Sequence, residues 1–150
     1  MNASILLLIR NIVSESAFII SESIQSFFIK LLKFGLVGFS GLIVDFGVTY
    51  ILKEKLKANK YLANGLGFCL AVVSNFILNK IWTFDDKSLA YFPQFLSFAA
   101  VAIGGLLINQ AILFMLHERF KLNFYLAKLL AIGVVTVWNF GFSNFIVFSQ

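Results

Sequence analysis

Residues 34–52 read FGLVGFSGLIVDFGVTYIL, an apolar run in which Asp45 is the one charged side chain. A helix of about 20 residues, rising 1.5 Å per residue, crosses a hydrocarbon core ~30 Å thick. The run is therefore long enough to span a membrane, from Phe34 to about Leu52, where Lys53-Glu54-Lys55-Leu56-Lys57 ends it. A second run extends from about Tyr61 to Asn79, with Lys80 and Trp82 at its boundary. A third follows Asp85-Asp86-Lys87-Ser88 and reaches about Leu116, with Pro93, the chain's sole proline, suited to its first turn. The fourth runs from about Phe124 nearly to the C-terminus. Tyr50, Tyr61, Trp82, Tyr91 and Tyr125 all fall at span ends, where amphipathic rings sit well among headgroups. The whole composition agrees: 60% hydrophobic, 13% charged, mean hydropathy +0.92, against about 45–50% and about 25% in soluble domains. The expected fold is an all-α membrane protein with four transmembrane helices.

The second half of the spanning region repeats the first. A shift of 64 residues aligns 34–86 with 98–150 without a gap, and 16 of 53 positions are identical. Phe34/Phe98, Gly41/Gly105, Lys57/Lys121, Asn59/Asn123, Asn75/Asn139 and Phe84/Phe148 are among them. Each unit holds two spans, so both copies point the same way across the bilayer, a two-plus-two parallel repeat about an axis near the membrane normal.

Residues 1–33 differ. Ile12, Phe18, Ile20, Ile24, Phe27, Phe28 and Leu31 are interleaved with Asn11, Glu15, Ser21, Glu22, Gln25, Ser26 and Lys30. This pattern predicts an amphipathic interfacial helix ahead of a four-helix domain at 34–150. Lys and Arg divide five to seven between the two sides, which by the positive-inside rule places both termini outside.

Several chemistries are excluded. One cysteine, Cys69, gives neither an internal disulfide nor a cysteine zinc site, and one histidine, His117, gives no histidine cluster. No phosphate-binding glycine loop occurs, so no cofactor is expected, and no nucleic-acid partner. A single intramembrane acid without a second catalytic group offers no reaction scheme, so the chain reads as a non-enzyme.

The polar residues at membrane depth carry the functional reading. A carboxylate at the centre of a spanning helix costs about 2.5–3.5 kcal/mol on insertion scales. Asp45 sits there, on one face with Gly38 and Gly41; the repeat places Ala102, Gly105 and Asn109 in the same pattern. Asn75 and Asn79 share a face of the second span, matched by Asn139 and Ser143 in the fourth. Lys80 at one end and Lys128 at the other could meet phosphate oxygens. Against a role for each stand packing notches for the glycines, cross-helix hydrogen bonds for the asparagines and snorkelling for the lysines.

The motifs Phe34-Gly35-Leu36-Val37-Gly38-Phe39-Ser40-Gly41 and Asn75-Phe76-Ile77-Leu78-Asn79-Lys80-Ile81-Trp82-Thr83-Phe84 resemble the GtrA-like family of small four-helix membrane proteins, over about residues 33–150. Lys80 stands where that family commonly has Arg. The resemblance implies flipping of a polyprenyl-phosphate-linked sugar across the inner membrane for cell-surface polysaccharide, with both termini cytoplasmic. That expectation takes precedence over the nearly balanced charge count. For such a cargo the polar residues read as the substrate-binding set, Asp45, Asn75, Asn79, Lys80, Asn109, Lys128 and Asn139, with a membrane glycosyltransferase or a second copy of the chain as partner. Two other readings remain: an accessory or anchoring subunit of a polyprenyl-phosphate glycosyltransferase, and a small multidrug-type exporter, which would favour Glu as its intramembrane acid and lack the second motif.

Overall fold

The computed structural model describes residues 3–148, except for the side chains of residues 3–9, 60, 61, 124 and 125; the rings of Tyr61 and Tyr125 thus lie outside the described set. All regular structure among the described residues is helical. Four helices are apolar enough and long enough to cross a membrane: Arg10–Lys55, Leu62–Thr83, Tyr91–Arg119 and Leu126–Val147. The protein is an all-α, multi-pass membrane protein. Its chain forms two compact units, Met1–Leu32 and Lys33–Gln150.

In the first unit, helix α1 (Ala3–Tyr50) begins far ahead of the span expected from Phe34 and continues through residue 33 without a break. The local reason is the absence of glycine or proline in Lys30-Leu31-Leu32-Lys33, all good helix formers. Residues 10–29 are exposed, and the hydroxyls of Ser14, Ser16 and Ser23 donate back to carbonyls three or four residues earlier. Internal bonding of this kind lets serines sit in an apolar helix at little cost.

The second unit contains the end of α1 and the helices α2 (Lys60–Leu78), α3 (Tyr91–Phe114) and α4 (Phe124–Phe142). Pro93 falls in the first turn of α3, where its missing N–H is harmless. Each span ends in a five-residue π-turn: Ile51–Lys55, Asn79–Thr83, Met115–Arg119 and Ser143–Val147. Among the described rings at span ends, Tyr50, Trp82 and Tyr91 are exposed.

The duplication is visible in the backbone itself. The bounds of α2 and α4 differ by 64 residues, as do those of the paired π-turns. In the two loops that end α1 and α3, Leu56 N–H donates to Ile51 O at 3.0 Å and Phe120 N–H to Met115 O at 3.2 Å. Lys57 and Lys121 then both adopt φ 54°, and Ala58 and Leu122 return their N–H groups to Leu52 and Leu116. Asn59 and Asn123 cap the next helices, each accepting at 3.4 Å from the backbone N–H three residues on. The identical Lys57/Lys121 and Asn59/Asn123 are thus one turn built twice. His117, in the second of these loops, places Nδ1 3.0 Å from Leu122 O and so braces the turn as well.

Six phenylalanines pack the two repeats together, and they are three identical pairs under the same shift. Phe34 meets Phe84 and Phe140 at centroid distances of 6.2 and 5.7 Å; Phe98 meets Phe148 and Phe76 at 6.2 and 5.8 Å. Phe84 stacks on Phe140 at 6.2 Å as Phe148 stacks on Phe76 at 5.9 Å. The two self-related rings, Phe84 and Phe148, stack on each other at 4.7 Å. That pattern is a pseudo-twofold. Lipid tails are as apolar as these side chains, so the cluster stabilises through close packing and ring geometry, with little help from water exclusion.

Candidate functional site: a polar cleft between the repeats

All four spans of the second unit contribute to one open cleft of about 300 Å³. Its wall includes six pairs related by the 64-residue shift: Gly38/Ala102, Leu42/Leu106, Asp45/Asn109, Phe68/Ile132, Ala71/Val135 and Asn75/Asn139. The cleft therefore straddles the pseudo-twofold, and the two halves present nearly matching surfaces. Of the candidate residues, Asp45, Asn75, Asn109 and Asn139 come together here.

Small residues admit the amides. A Cβ at Gly41 would overlap the Asn75 amide, and one at Gly105 would stand 2.5 Å from Asn139 Oδ1. The same notch thus seats the same asparagine in each repeat, with the side chain laid against a neighbouring backbone. Neither amide is fully paired: Asn75 Oδ1 and Asn139 Oδ1 are buried without a hydrogen-bond partner. A buried acceptor left unpaired costs about 1–3 kcal/mol, which a ligand donor would recover.

Asp45 is half-buried and lines the cleft. Thr49 Oγ1 lies 3.5 Å from its Oδ1, at the limit of hydrogen bonding, and 3.4 Å from the Ala63 carbonyl. Among the described residues no cation forms an ion pair with Asp45. On the α2 side, a Cβ at Gly67 would sit 2.6 Å from Asp45 Oδ1 and 2.7 Å from its backbone oxygen. A backbone atom cannot swing away as a side chain can. Gly67→Ala is accordingly expected to cost about 1–3 kcal/mol by forcing α1 and α2 apart. Gly133→Ala, where nothing lies within 4 Å, should be neutral or gain up to about 1 kcal/mol of helix propensity. Thermal unfolding of both variants in detergent checks the contrast; equal midpoints would rule out the close α1–α2 approach.

The remaining candidates lie elsewhere. Asn79 is buried and accepts from Thr83 Oγ1 at 2.8 Å. Lys80, expected at the headgroups with a free ammonium, is 1% exposed. Its Nζ pairs with Asp86 Oδ2 at 3.2 Å, donates to Gln94 Oε1 at 2.6 Å and to Ser88 Oγ at 3.3 Å, and lies 4.7 Å from the Tyr91 ring centroid. Asp86 also accepts from Gln94 Nε2 and, at 2.7 Å, from Ser88 N–H. Three donors therefore meet three acceptors, and Lys80 fastens the α2–α3 loop. Lys128 is exposed on α4 and does not line the cleft. Lys33, which the sequence marks only as one positive charge among many, stands at the same end as Lys80. It donates to Trp82 O at 3.3 Å and lies 5.4 Å from the Trp82 ring centroid. No group of three or more His, Cys, Asp or Glu gathers for a metal among the described residues.

The family profile described as GtrA/DPMS, transmembrane domain, matches residues 33–148, which takes in every helix that builds the cleft. The chain belongs to this family. Two relatives place it further. A dolichol-phosphate mannosyltransferase of Pyrococcus furiosus is 32% identical over 81 residues, 53% of this chain and 23% of that enzyme. A protein of Bacillus subtilis named "Uncharacterized membrane protein YwcD" is 28% identical over 111 residues, 72% of this chain and 87% of that protein. The GtrA/DPMS chain thus spans under a quarter of the mannosyltransferase but most of the Bacillus protein. It is a membrane protein linked by family to polyprenyl-phosphate sugar metabolism.

Proposed function

We propose that the protein translocates a polyprenyl-phosphate-linked monosaccharide across the cytoplasmic (inner) membrane, for modification of cell-surface polysaccharide. The observation that carries this reading is the convergence of Asp45, Asn75, Asn109 and Asn139 on one open cleft. Its volume of about 300 Å³ is at the small end of ligand pockets, which run from about 300 to 1,000 Å³; it suits one sugar ring rather than an oligosaccharide. The prenyl tail stays in the bilayer, so only hydroxyls and phosphate need shelter. Asn75 and Asn139, whose acceptors lack donors, take hydroxyls; Asp45 and Asn109 take others.

The phosphate remains at headgroup level. Capture by Lys80 with Asn79 requires Asp86 to leave first, whereas Lys33 has one carbonyl contact and needs no such rearrangement. Lys33 is assigned the first phosphate contact, and Lys128 the contact at the opposite end. Nothing in the described residues supplies energy, so net flow follows consumption of the sugar on the far side.

The experiment is reconstitution in vesicles with a fluorescent or radiolabelled prenyl-phosphate sugar. Asn75→Ala/Asn139→Ala and Asp45→Ala are each expected to reduce flipping by at least tenfold with unfolding midpoints close to the parent's. Unchanged flipping in these variants overturns the site. A second reading rests on the match to part of a mannosyltransferase: an accessory membrane subunit that anchors or activates a separate prenyl-phosphate glycosyltransferase. Deleting the protein would then abolish glycolipid synthesis, not merely its appearance in the outer leaflet.

A further inference from the structure

The duplicated cleft contains its own control. Asp45 and Asn109 occupy equivalent positions in the two repeats and both line the cleft. Carboxylate and amide have nearly the same shape, and either can accept hydrogen bonds from a sugar hydroxyl. Neutral hydroxyls would therefore be served by asparagine at both positions, as they are by Asn75 and Asn139. What Asp45 adds is charge, at membrane depth, where it costs about 2.5–3.5 kcal/mol unless something offsets it.

The described residues do not offset it. Among the described residues, Asp45 has no cationic partner, and its one hydrogen bond, from Thr49, is 3.5 Å long. Lys80, at the end of the second span, is already committed to Asp86. In the same cleft wall, the buried side-chain atoms without partners are acceptors, Asn75 Oδ1 and Asn139 Oδ1. Among the described residues the cleft thus holds one anion without a cationic partner and two buried acceptors without a donor, so it lacks a cation for the one and donors for the other two. A complementary headgroup brings both.

We infer that the sugar this cleft takes carries a free amine: an aminohexose or aminopentose whose ammonium pairs with Asp45 while its hydroxyls donate to Asn75 and Asn139. The inference rests on the translocation reading and narrows its substrate class. An ammonium–carboxylate hydrogen bond is about twice as strong as a neutral one, and a neutral sugar would leave the charge of Asp45 uncompensated. An N-acetylated sugar fails for the same reason, because acetylation removes the positive charge while keeping the nitrogen.

The test is equilibrium binding to the full chain in nanodiscs, using farnesyl phosphate carrying glucose, N-acetylglucosamine, or hexoses with a free amine at C2, C4 or C6. At least one free-amine lipid is expected to bind tenfold or more tightly than both the glucose and the N-acetyl lipids, a difference of ~1.4 kcal/mol. Asp45→Asn should bring that ratio to about one, and Asn109→Asp, which adds a second carboxylate in the mirrored position, should raise it. Equal binding of all these lipids to the parent overturns the inference and leaves translocation standing. A preference that survives Asp45→Asn also overturns it, since the amine would then be read elsewhere. If none of these lipids binds, the inference and the translocation reading fall together.

Discussion

Lys80→Met is expected to destabilise the protein by about 3–5 kcal/mol. The side chains of Lys80 and Asp86 are each 1% exposed. Removing the ammonium takes the 3.2 Å ion pair from a buried carboxylate, and strands Gln94 Oε1 and Ser88 Oγ, both acceptors of its protons. The loss falls on the α2–α3 loop, because Asp86, Ser88, Tyr91 and Gln94 all meet this ammonium. Lys80→Met/Asp86→Leu should recover much of the cost, since a buried ion pair replaced by apolar groups of similar volume is often neutral. Unfolding midpoints of the two singles and the double in detergent give the coupling directly. A cost below about 1 kcal/mol for the single would mean the pair behaves as a solvated surface bridge, and the ammonium would again be open to a lipid phosphate.

Lys80 also shows where reading the sequence runs out. The four spans are legible because length and hydropathy alone define them, and the cleft is legible because the helical spacing of Gly38, Gly41 and Asp45 is repeated at Ala102, Gly105 and Asn109. Periodicity places residues on faces, and a duplicated face carrying polar groups marks what the faces share. The partners of Lys80 are six, eight and fourteen residues further on. They arrive only because Asp85 turns the chain at φ 48° and Asp86 N–H returns to Lys80 O. No periodicity encodes such a turn, so a lysine at a span end looks like a snorkelling cation whether or not a loop folds over it. Lys33 is hidden for the opposite reason: its partner is the Trp82 carbonyl, and a backbone acceptor leaves no mark in the sequence. The extension of α1 through residue 33 belongs with these, since an amphipathic pattern distinguishes faces of a helix and does not say where one helix ends.

The phenylalanine cluster lies between these cases. Its three identical pairs are plain in the alignment of the repeats, yet in a chain with 19 phenylalanines an identical phenylalanine carries little signal. Its importance is set by the pseudo-twofold, which brings Phe84 and Phe148 together at 4.7 Å. Phe84→Ala and Phe148→Ala are each expected to cost about 3 kcal/mol or more, as large-to-small core substitutions do, because each ring meets neighbours from both repeats. The double variant should cost less than the sum of the singles by about 0.5–1.5 kcal/mol, the worth of the shared aromatic contact. Phe46→Ala, at a position 72% exposed, is the control and should stay within about 0.5 kcal/mol of the parent. Strict additivity in the Phe84/Phe148 cycle would mean that the two rings do not meet. The repeats would then be joined by something other than this axis, and a cleft whose two halves face each other across it would lose its frame.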